Sequence, residues 1–298
     1  AGSAAYYAPF QGGGGGNYND KSLFFFENIG TATAMNFELH EEANHYGLTG
    51  FGSNSYASPS FADIDGDGDL DAYVGGRASG GYYLGGGTQW LSFFENEGTA
   101  TDPSFAAPVT NGHGAYSYYY RSKPAMVDLD GDGDYDIMIG GNDYFVFWDN
   151  QGTASAPNFT GYTYNDFGLY TNYGRISPEF VDIDNDGDLD MFVGINEHYG
   201  GGGPAVYRTN NLGGGGYVYG GIYYFENIGT ASAPNFSNGT LNPFGLDNHD
   251  IDLTSNPTLF DVDGDGDMDM LVGGESGSFN YFENIGTASA PDFAAPVE

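Results

Sequence analysis

A nine-residue acidic segment occurs four times in this chain and constrains its fold more than any other feature. The copies, named loops I to IV, are DIDGDGDLD at 63–71, DLDGDGDYD at 128–136, DIDNDGDLD at 182–190 and DVDGDGDMD at 261–269. Each has Asp at positions 1, 3, 5, 7 and 9. Position 6 is always Gly, which takes the positive φ of a sharp turn at low cost. Carboxylates this close together repel one another unless a cation lies among them. The pattern therefore predicts four hard-cation sites.

Oxygen ligands on a bending loop favour Ca²⁺ over Mg²⁺ and over transition metals. We expect side-chain ligands from positions 1, 3, 5 and 9 of each loop, and a backbone carbonyl from position 7. An acidic, hydrated turn without metal is the alternative, although hydration alone would not fix one spacing four times. The predicted metal residues are Asp63, Asp65, Asp67, Asp69, Asp71, Asp128, Asp130, Asp132, Asp134, Asp136, Asp182, Asp184, Asp186, Asp188, Asp190, Asp261, Asp263, Asp265, Asp267 and Asp269.

The segments around the acidic loops have the pattern of strands. The EF-hand loop also opens with DxDxDG, but it needs a bidentate Glu at position 12 and flanking helices. Position 12 is Val74, Ile139, Val193 or Val272 here. A short apolar run follows each loop, and a Pro lies four residues before it. Both features are typical of strands, so each loop is expected to join two strands of a hairpin, the first starting at the Pro.

A second motif, an aromatic pair followed by Glu or Asp and then Asn-x-Gly-Thr-Ala, occurs five times. We expect the aromatic pair to end a strand, Asn-x-Gly to form a tight turn, and a Phe further on to begin the next strand. The Asn is predicted to cap its own turn, with ligand binding as the less favoured alternative. The copies lie at 25–32, 93–100, 147–154, 224–231 and 281–288.

These two motifs give a repeating unit of four short strands. Repeats of this size cannot bury both faces alone and must stack side by side, as a radial ring of four-stranded sheets does. The predicted fold is an all-β propeller, a single domain over 1–298 with five blades. The first is incomplete, because 22–40 and Ala4–Tyr7 supply only three strands and no acidic loop. The expected units are 1–56, 57–122, 123–176, 177–255 and 256–298.

The acidic strand turn, the apolar strand after it and the Asn-x-Gly turn together resemble the FG-GAP/VCBS repeat of integrin-α-like β-propellers. The resemblance covers nearly the whole chain and implies Ca²⁺ on the Asp residues of all four loops. Loop III departs from the others, with Asn185 at position 4 where they have Gly. Asn also adopts left-handed conformations, so this change is expected to be tolerated. Members of the family serve as adhesion modules, lectins and non-catalytic domains of secreted enzymes, so the fold alone selects no function.

Charge and composition narrow the function classes. The formal net charge is −35, with 41 acidic and only 6 basic side chains, which disfavours nucleic acid as a partner. Four bound Ca²⁺ would bring this charge to about −27. No apolar stretch is long enough to insert into a membrane as a helix, and there is no Cys for disulfides or thiolate sites. Extracellular Ca²⁺ modules bind at roughly 0.1–1 mM, so we expect a secreted or cell-surface protein.

The preferred function is a calcium-rigidified structural or adhesive module that binds protein or its own copies. The incomplete first unit leaves an open strand edge. We expect either that the natural chain continues beyond residue 298 or that a neighbouring copy covers the edge in a ring or a filament. A carbohydrate-binding propeller is the alternative, because Trp90, Trp148 and abundant tyrosines offer stacking platforms for glycans. The sequence contains no G-x-S-x-G, H-E-x-x-H, P-loop or Cys nucleophile, so we predict no enzyme activity. Asn158, Asn235 and Asn238 lie in glycosylation sequons.

The links between strands allow two interpretations, a recognition surface or simple connections. We expect the acidic loops and the Asn-x-Gly turns to share one face of the propeller, and the more variable links to share the other. An aromatic-Gly-Leu repeat in these links either plugs the blades or contributes to recognition. The repeat lies at 46–48, 167–169 and 244–246, and Gly runs lie at 12–16, 85–87, 200–203 and 213–216.

Overall fold

Almost all regular structure in this protein is β-strand. The computed structural model describes residues 5–9, 23–31, 35–40, 45–49, 55–77, 91–118, 122–141, 144–169, 175–195, 221–246, 255–274 and 279–297. These ranges contain 18 strands and short 3-10 helices that include His45–Gly47 and Gly112–Gly114. None of the helices in these ranges is long and apolar enough to cross a membrane.

The strands pair into antiparallel sheets, in chain order within each sheet. The first sheet has three strands, and the four sheets that carry an acidic loop are named blades I to IV. The first sheet contains β1 Ala5–Pro9, β2 Leu23–Asn28 and β3 Phe37–His40. Blade I contains β4 Ser55–Ala62, β5 Asp71–Arg77, β6 Leu91–Phe94 and β7 Val109–Thr110. Blade II contains β8 Lys123–Val127, β9 Asp136–Gly140, β10 Phe145–Asn150 and β11 Phe159–Tyr164.

Blades III and IV repeat this order. Blade III contains β12 Ser177–Val181, β13 Asp190–Ile195, β14 Gly221–Phe225 and β15 Thr240–Leu241. Blade IV contains β16 Asn256–Phe260, β17 Asp269–Gly273 and β18 Phe279–Phe282. Its fourth strand is reduced to a bridge in which Tyr281 and Val297 exchange two backbone hydrogen bonds of 2.9 and 3.0 Å. The outermost strand is the shortest in most blades, as is common for strands at a sheet edge.

Each acidic loop joins the first two strands of its blade as an antiparallel hairpin, as predicted. The first strand begins one residue before the predicted Pro in blades II to IV, and at Ser55 in blade I. The registers that close the loops pair Ala62 with Asp71, Val127 with Asp136, Val181 with Asp190 and Phe260 with Asp269.

The predicted third strand of the first unit is also present, as β1 pairs with β2. The Phe after each Asn-x-Gly turn starts a strand as predicted in β3 and β11. In the other three copies it forms only a single bridge to the Asn of the turn. These bridges are Asn96 to Phe105, Asn227 to Phe236 and Asn284 to Phe293.

The hydrophobic core lies between successive sheets rather than within one of them. One buried cluster joins blade II to blade III through residues such as Phe147 and Met191, and others join blade I to blade II and blade III to blade IV. A fourth joins the first sheet to blade I through Leu23 and Val74. Each blade therefore buries its faces against its neighbours, as the repeat pattern predicts.

The four blades form a β-propeller whose first strands β4, β8, β12 and β16 follow one another around a central cavity. The first sheet contacts the blades on either side, since β1 contacts β4 and the Phe26 ring lies 5.6 Å from that of Phe279. The all-β propeller is thus confirmed. Three points stay predictions: that the first sheet is an incomplete fifth blade, that the chain is a single domain, and where the units begin and end.

Candidate metal centres in the acidic loops

The backbone of the acidic loops has the conformation that the sequence predicts. Position 6 has a φ of 96–98° in all four loops, and an added Cβ there would meet no atom within 4 Å. Glycine is therefore needed for the conformation and not for space. At position 4, Asn185 has a φ of 61°, close to the 74° of Gly66, so the exception in loop III keeps the same left-handed turn.

This backbone gathers the carboxylates of positions 1, 3 and 5. In every loop, one oxygen from each of these three side chains lies within 4.8 Å of the other two. In loop I, the Gly68 N–H donates to Asp63 Oδ2 at 3.1 Å, and the Asp67 N–H donates to Asp65 Oδ1 at 3.3 Å. The triads that could hold a metal ion are Asp63, Asp65 and Asp67; Asp128, Asp130 and Asp132; Asp182, Asp184 and Asp186; and Asp261, Asp263 and Asp265.

Position 7 adds a fourth carboxylate to each loop. Its Oδ1 atom is buried without a hydrogen-bond partner in all four copies, Asp69, Asp134, Asp188 and Asp267. Desolvation and the neighbouring Asp residues raise the pKa of Asp134 and of Asp267 to about 6. A buried, unpartnered carboxylate oxygen costs free energy. A divalent cation among these oxygens would remove that cost and the repulsion, so the donor set fits a hard cation such as Ca²⁺.

Position 9 holds the Asn-x-Gly turn of its own blade, a role that the sequence did not predict. In blade I, the Asn96 N–H donates to Asp71 Oδ1 at 2.8 Å. Equivalent bonds of 2.8–2.9 Å join Asn150 to Asp136, Asn227 to Asp190 and Asn284 to Asp269. Burial raises the pKa of the carboxyls in the first three of these blades to about 7, although the N–H donors lower it.

The Asn at the other end of this bond caps its own turn, as predicted. In blade I, Asn96 Oδ1 accepts the Gly98 N–H at 3.0 Å and the Ser104 N–H at 2.8 Å. All five copies of the turn have the same pair of bonds, with lengths of 2.8–3.1 Å. A continuous path therefore runs from each acidic loop through position 9 to the Asn-x-Gly turn.

The acidic loop of one blade also packs against the turn of the next. A Cβ added at Gly66 would lie 2.9 Å from the Ala154 carbonyl oxygen, and one at Gly131 would lie 3.0 Å from that of Ala231. Loops I and II therefore lie beside the turns of blades II and III, on one side of the propeller, as predicted. A change in the conformation of loop I or loop II would therefore displace the Asn-x-Gly turn of the neighbouring blade.

The aromatic-Gly-Leu segments connect blades, which supports the simpler of their two interpretations. Leu48, Leu169 and Leu246 are all buried. The Phe105 N–H of blade I donates to the Tyr46 carbonyl at 2.9 Å, and a Cβ at Gly47 would lie 2.9 Å from the Phe105 carbonyl oxygen. This close approach of two backbones needs glycine.

Sequence reasoning missed a fourth copy of this segment, His113-Gly114-Ala115. The φ angles of His113 and Gly114 are 53° and 97°, like the 57° and 80° of Phe167 and Gly168. The shared signal is Asn-x-(aromatic or His)-Gly, which occurs at 44–47, 111–114, 165–168 and 242–245.

Other predicted features lie away from the acidic loops. Trp148 does not offer a stacking platform, because the ring is buried under Tyr116 and only 2% of the residue is exposed. Trp90 and the four Gly runs lie outside the described residues. Asn158, Asn235 and Asn238 are exposed, and their glycosylation stays a prediction.

The central cavity has a volume of about 320 Å³ and is lined by the first strands of blades I to IV. Glu179 is the only acidic side chain among the described residues that line it. Its carboxylate accepts the Leu259 N–H of the next blade, and burial raises the pKa of Glu179 to about 8. The Lys123 ammonium donates to Asn256 Oδ1. This bond joins blade II directly to blade IV, although blade III lies between them in the chain.

Residues 128–193 match the FG-GAP-like repeat, which confirms over this segment the resemblance seen in the sequence. No curated protein sequence matches the chain. The solved structures similar to it include a lectin of Agrocybe aegerita that recognises non-reducing terminal N-acetylglucosamine, with 18% identity and a TM-score of 0.40, over 93% of this chain and 73% of the lectin.

Another similar structure is the GH43 protein BlXynB of Bacillus licheniformis, with 11% identity and a TM-score of 0.50. The alignment covers 93% of this chain and 51% of that one, so the chain spans about half the length of the GH43 protein. At this identity the likeness concerns the fold alone.

Proposed function

We propose, from the FG-GAP-like repeat at 128–193 and the four Asp triads, that this chain is an extracellular calcium-binding β-propeller with a structural or adhesive role. One observation carries the proposal: position 7 of every acidic loop has a buried carboxylate oxygen with no partner, beside three more carboxylates. An arrangement this costly, repeated four times, is accounted for by a bound cation.

Calcium would act on the whole propeller and not only on its own loop. Ligation fixes the hairpin of the first two strands. The hydrogen bond from position 9 to the buried Asn would then fix the Asn-x-Gly turn of the same blade. Loops I and II would also support the turn of the neighbouring blade against which they pack. The expected result is a rigid scaffold in calcium-rich surroundings. Since such sites bind at roughly 0.1–1 mM in extracellular modules, they would be filled outside the cell.

Isothermal titration calorimetry tests the calcium proposal. Ca²⁺ should bind the metal-free protein with Kd values of roughly 0.1–1 mM, and Mg²⁺ should bind more weakly, because it requires a tighter octahedral shell. Glu97→Gln is a suitable control, since it removes one exposed acidic charge outside the loops. No heat of binding with Ca²⁺ up to 10 mM, about ten times the weakest of these Kd values, would overturn the proposal.

For the adhesive role, the proposed partners are other proteins or further copies of this chain. The first sheet supports this, because within the described residues it lacks the acidic loop of blades I to IV and the strand that precedes that loop. Light scattering at millimolar Ca²⁺ over a wide range of protein concentration tests self-assembly. Growth in mass with concentration is expected, and a constant monomer mass would refute assembly while leaving the calcium proposal intact.

We also propose that the chain is not an enzyme. Glycoside hydrolysis usually needs a pair of carboxyl groups. Among the described residues that line the central cavity, only Glu179 has a carboxyl group. The carboxylates of the acidic loops would be held ionised by the metal and so could not act as general acids. Because of the fold likeness to a GH43 protein, the sharpest check is hydrolysis of aryl glycosides. Turnover above the uncatalysed rate would contradict the proposal.

A further inference from the structure

Blade II carries a cluster of tyrosines on and beside its outer strand, outside the acidic loops of the proposed metal sites. Tyr162 and Tyr164 come from β11, and Tyr116 and Tyr118 from the segment before β8. Their ring centroids form a chain: Tyr118 to Tyr116 is 4.9 Å, Tyr116 to Tyr162 is 5.7 Å, and Tyr162 to Tyr164 is 5.2 Å. These four residues are named the tyrosine cluster.

The cluster has a buried floor and an exposed rim. Trp148 lies beneath it, 4.8 Å from Tyr116 and 4.9 Å from Tyr162 between ring centroids, and its indole N–H donates to the Tyr116 carbonyl at 3.2 Å. The two inner tyrosines pack against the core between blades I and II. The outer two do not, since Tyr118 is 56% exposed and Tyr164 is 49% exposed.

The hydroxyl groups of the cluster also lie together. The Tyr164 hydroxyl donates to that of Tyr162 at 3.4 Å. Burial, followed by hydrogen bonds with Tyr118 and Tyr162, raises the pKa of Tyr116 to about 12. The surface combines flat apolar rings with a row of neutral hydroxyls that can both donate and accept.

We infer that the tyrosine cluster binds a neutral carbohydrate. Burial of Trp148 explains the inner tyrosines, but the packing of the core does not require two half-exposed rings at the rim. Tyrosine presents a broad apolar body and a polar tip, which matches a pyranose ring, with C–H bonds on one face and hydroxyls at its edge. The formal net charge of −35 disfavours an acidic polysaccharide by repulsion.

Affinity electrophoresis through gels that contain a neutral polysaccharide tests this inference. The probes are laminarin, yeast mannan, galactan and hydroxyethyl cellulose, with alginate as an acidic comparison, all at saturating Ca²⁺. At least one neutral probe should retard the wild-type protein. Tyr164→Ala and Tyr118→Ala should each weaken the retardation about tenfold, because each removes one stacking ring, and Tyr164→Phe should keep most of it.

Tyr135→Leu is the matched control. Tyr135 is an exposed tyrosine of the same blade at position 8 of loop II, where loops I and III have Leu, so this variant should be retarded like wild type. Circular dichroism would show that each variant is folded. Failure of every neutral probe to retard the wild type, retardation by alginate alone, or undiminished retardation of both Ala variants would each overturn the inference, and none of these outcomes bears on calcium binding.

Discussion

The Asn-x-Gly turn of the first sheet and the same turn in the four blades share their local geometry but differ in what lies behind them. Asn28 Oδ1 accepts the Gly30 and Asn36 N–H groups at 2.9 and 3.1 Å, as its counterparts do. Asn28 is half-buried, whereas Asn96, Asn150, Asn227 and Asn284 are only 2–4% exposed and each donates its N–H to the Asp at position 9 of an acidic loop.

This difference separates a local property of the sequence from a property of the assembled blade. The cap depends only on neighbouring residues, so it forms wherever Asn-x-Gly occurs. Burial and the bond to position 9 require the acidic loop, and within the described residues the first sheet has none. The first sheet therefore serves as an internal reference without a metal loop.

Metal removal should have the largest effect. With Kd values of roughly 0.1–1 mM, each site contributes about 1.4–2.7 kcal/mol at 10 mM free Ca²⁺, and four sites act together. The melting temperature should fall by many degrees from 10 mM Ca²⁺ to EDTA, as measured by differential scanning calorimetry. Hydrogen exchange should rise in the acidic-loop hairpins more than in the turn at Asn28, and uniform exchange would contradict the comparison.

The second effect concerns pH in the metal-free protein. The folded-state pKa values of Asp71, Asp136 and Asp190, about 7, lie above those of the unfolded chain. The folded state then holds more protons, so its stability is greatest at low pH and is lost as the pH rises through 7.

The melting temperature of the dialysed protein should thus fall between pH 5 and pH 8. Added Ca²⁺ binds the ionised carboxylates, so the difference between the calcium and metal-free curves should widen over the same range. A gap that stays constant with pH would mean that these carboxyls do not titrate in the fold as described.

Two substitutions in loop II should separate metal binding from support of the turn. Asp136→Ala leaves the buried Asn150 and Leu129 N–H groups without their acceptor, at a cost of about 1–3 kcal/mol each, even in EDTA. Asp132→Ala removes a triad carboxylate that accepts the Asp134 N–H at 3.1 Å, so it should cost less stability than Asp136→Ala in EDTA and cost more when Ca²⁺ is present. Urea unfolding with and without EDTA measures both, and equal losses for the two variants in EDTA would refute the second role of position 9.

The smallest predicted effect is the difference in stability loss when the capping Asn is removed from the turn of blade II and from the turn of the first sheet. Asn150→Ala removes a buried acceptor whose two hydrogen bonds are part-buried, and should cost about 1–3 kcal/mol in total. Asn28→Ala removes the same two bonds where water can replace them, and should cost about 1 kcal/mol or less. Urea unfolding of the two variants provides the measurement. A loss at Asn28 as large as that at Asn150 would show that burial by the acidic loop is not what distinguishes the turns.

Much of the fold was predictable, because its signals are local and repeated. The positive φ at Gly68 and its equivalents follows from the position of glycine in the loop, and the hairpins follow from apolar runs on either side. The turn caps follow from Asn two residues before Gly. Each of these depends on a few adjacent residues, for which sequence and conformation are closely linked.

The contacts between distant segments were not predictable in the same way. The bond from position 9 joins residues 25 apart in blade I and 37 apart in blade III, because the link between the two strands varies in length. No fixed spacing therefore marks the pair. The burial of Trp148 was missed because stacking platforms and core residues have the same amino-acid type, and only the packing of Tyr116 and Tyr162 over the indole distinguishes them.

The number of calcium ions per chain tests the central claim most directly. After equilibrium dialysis at 5 mM Ca²⁺, about five times the weakest Kd expected, mass-spectrometric metal analysis should approach four ions for the wild type, one for each Asp triad. The single substitutions Asp67→Ala, Asp132→Ala, Asp186→Ala and Asp265→Ala should each remove one ion, and Glu97→Gln should remove none. A wild-type protein without calcium, or a count unchanged by these four variants, would contradict the account.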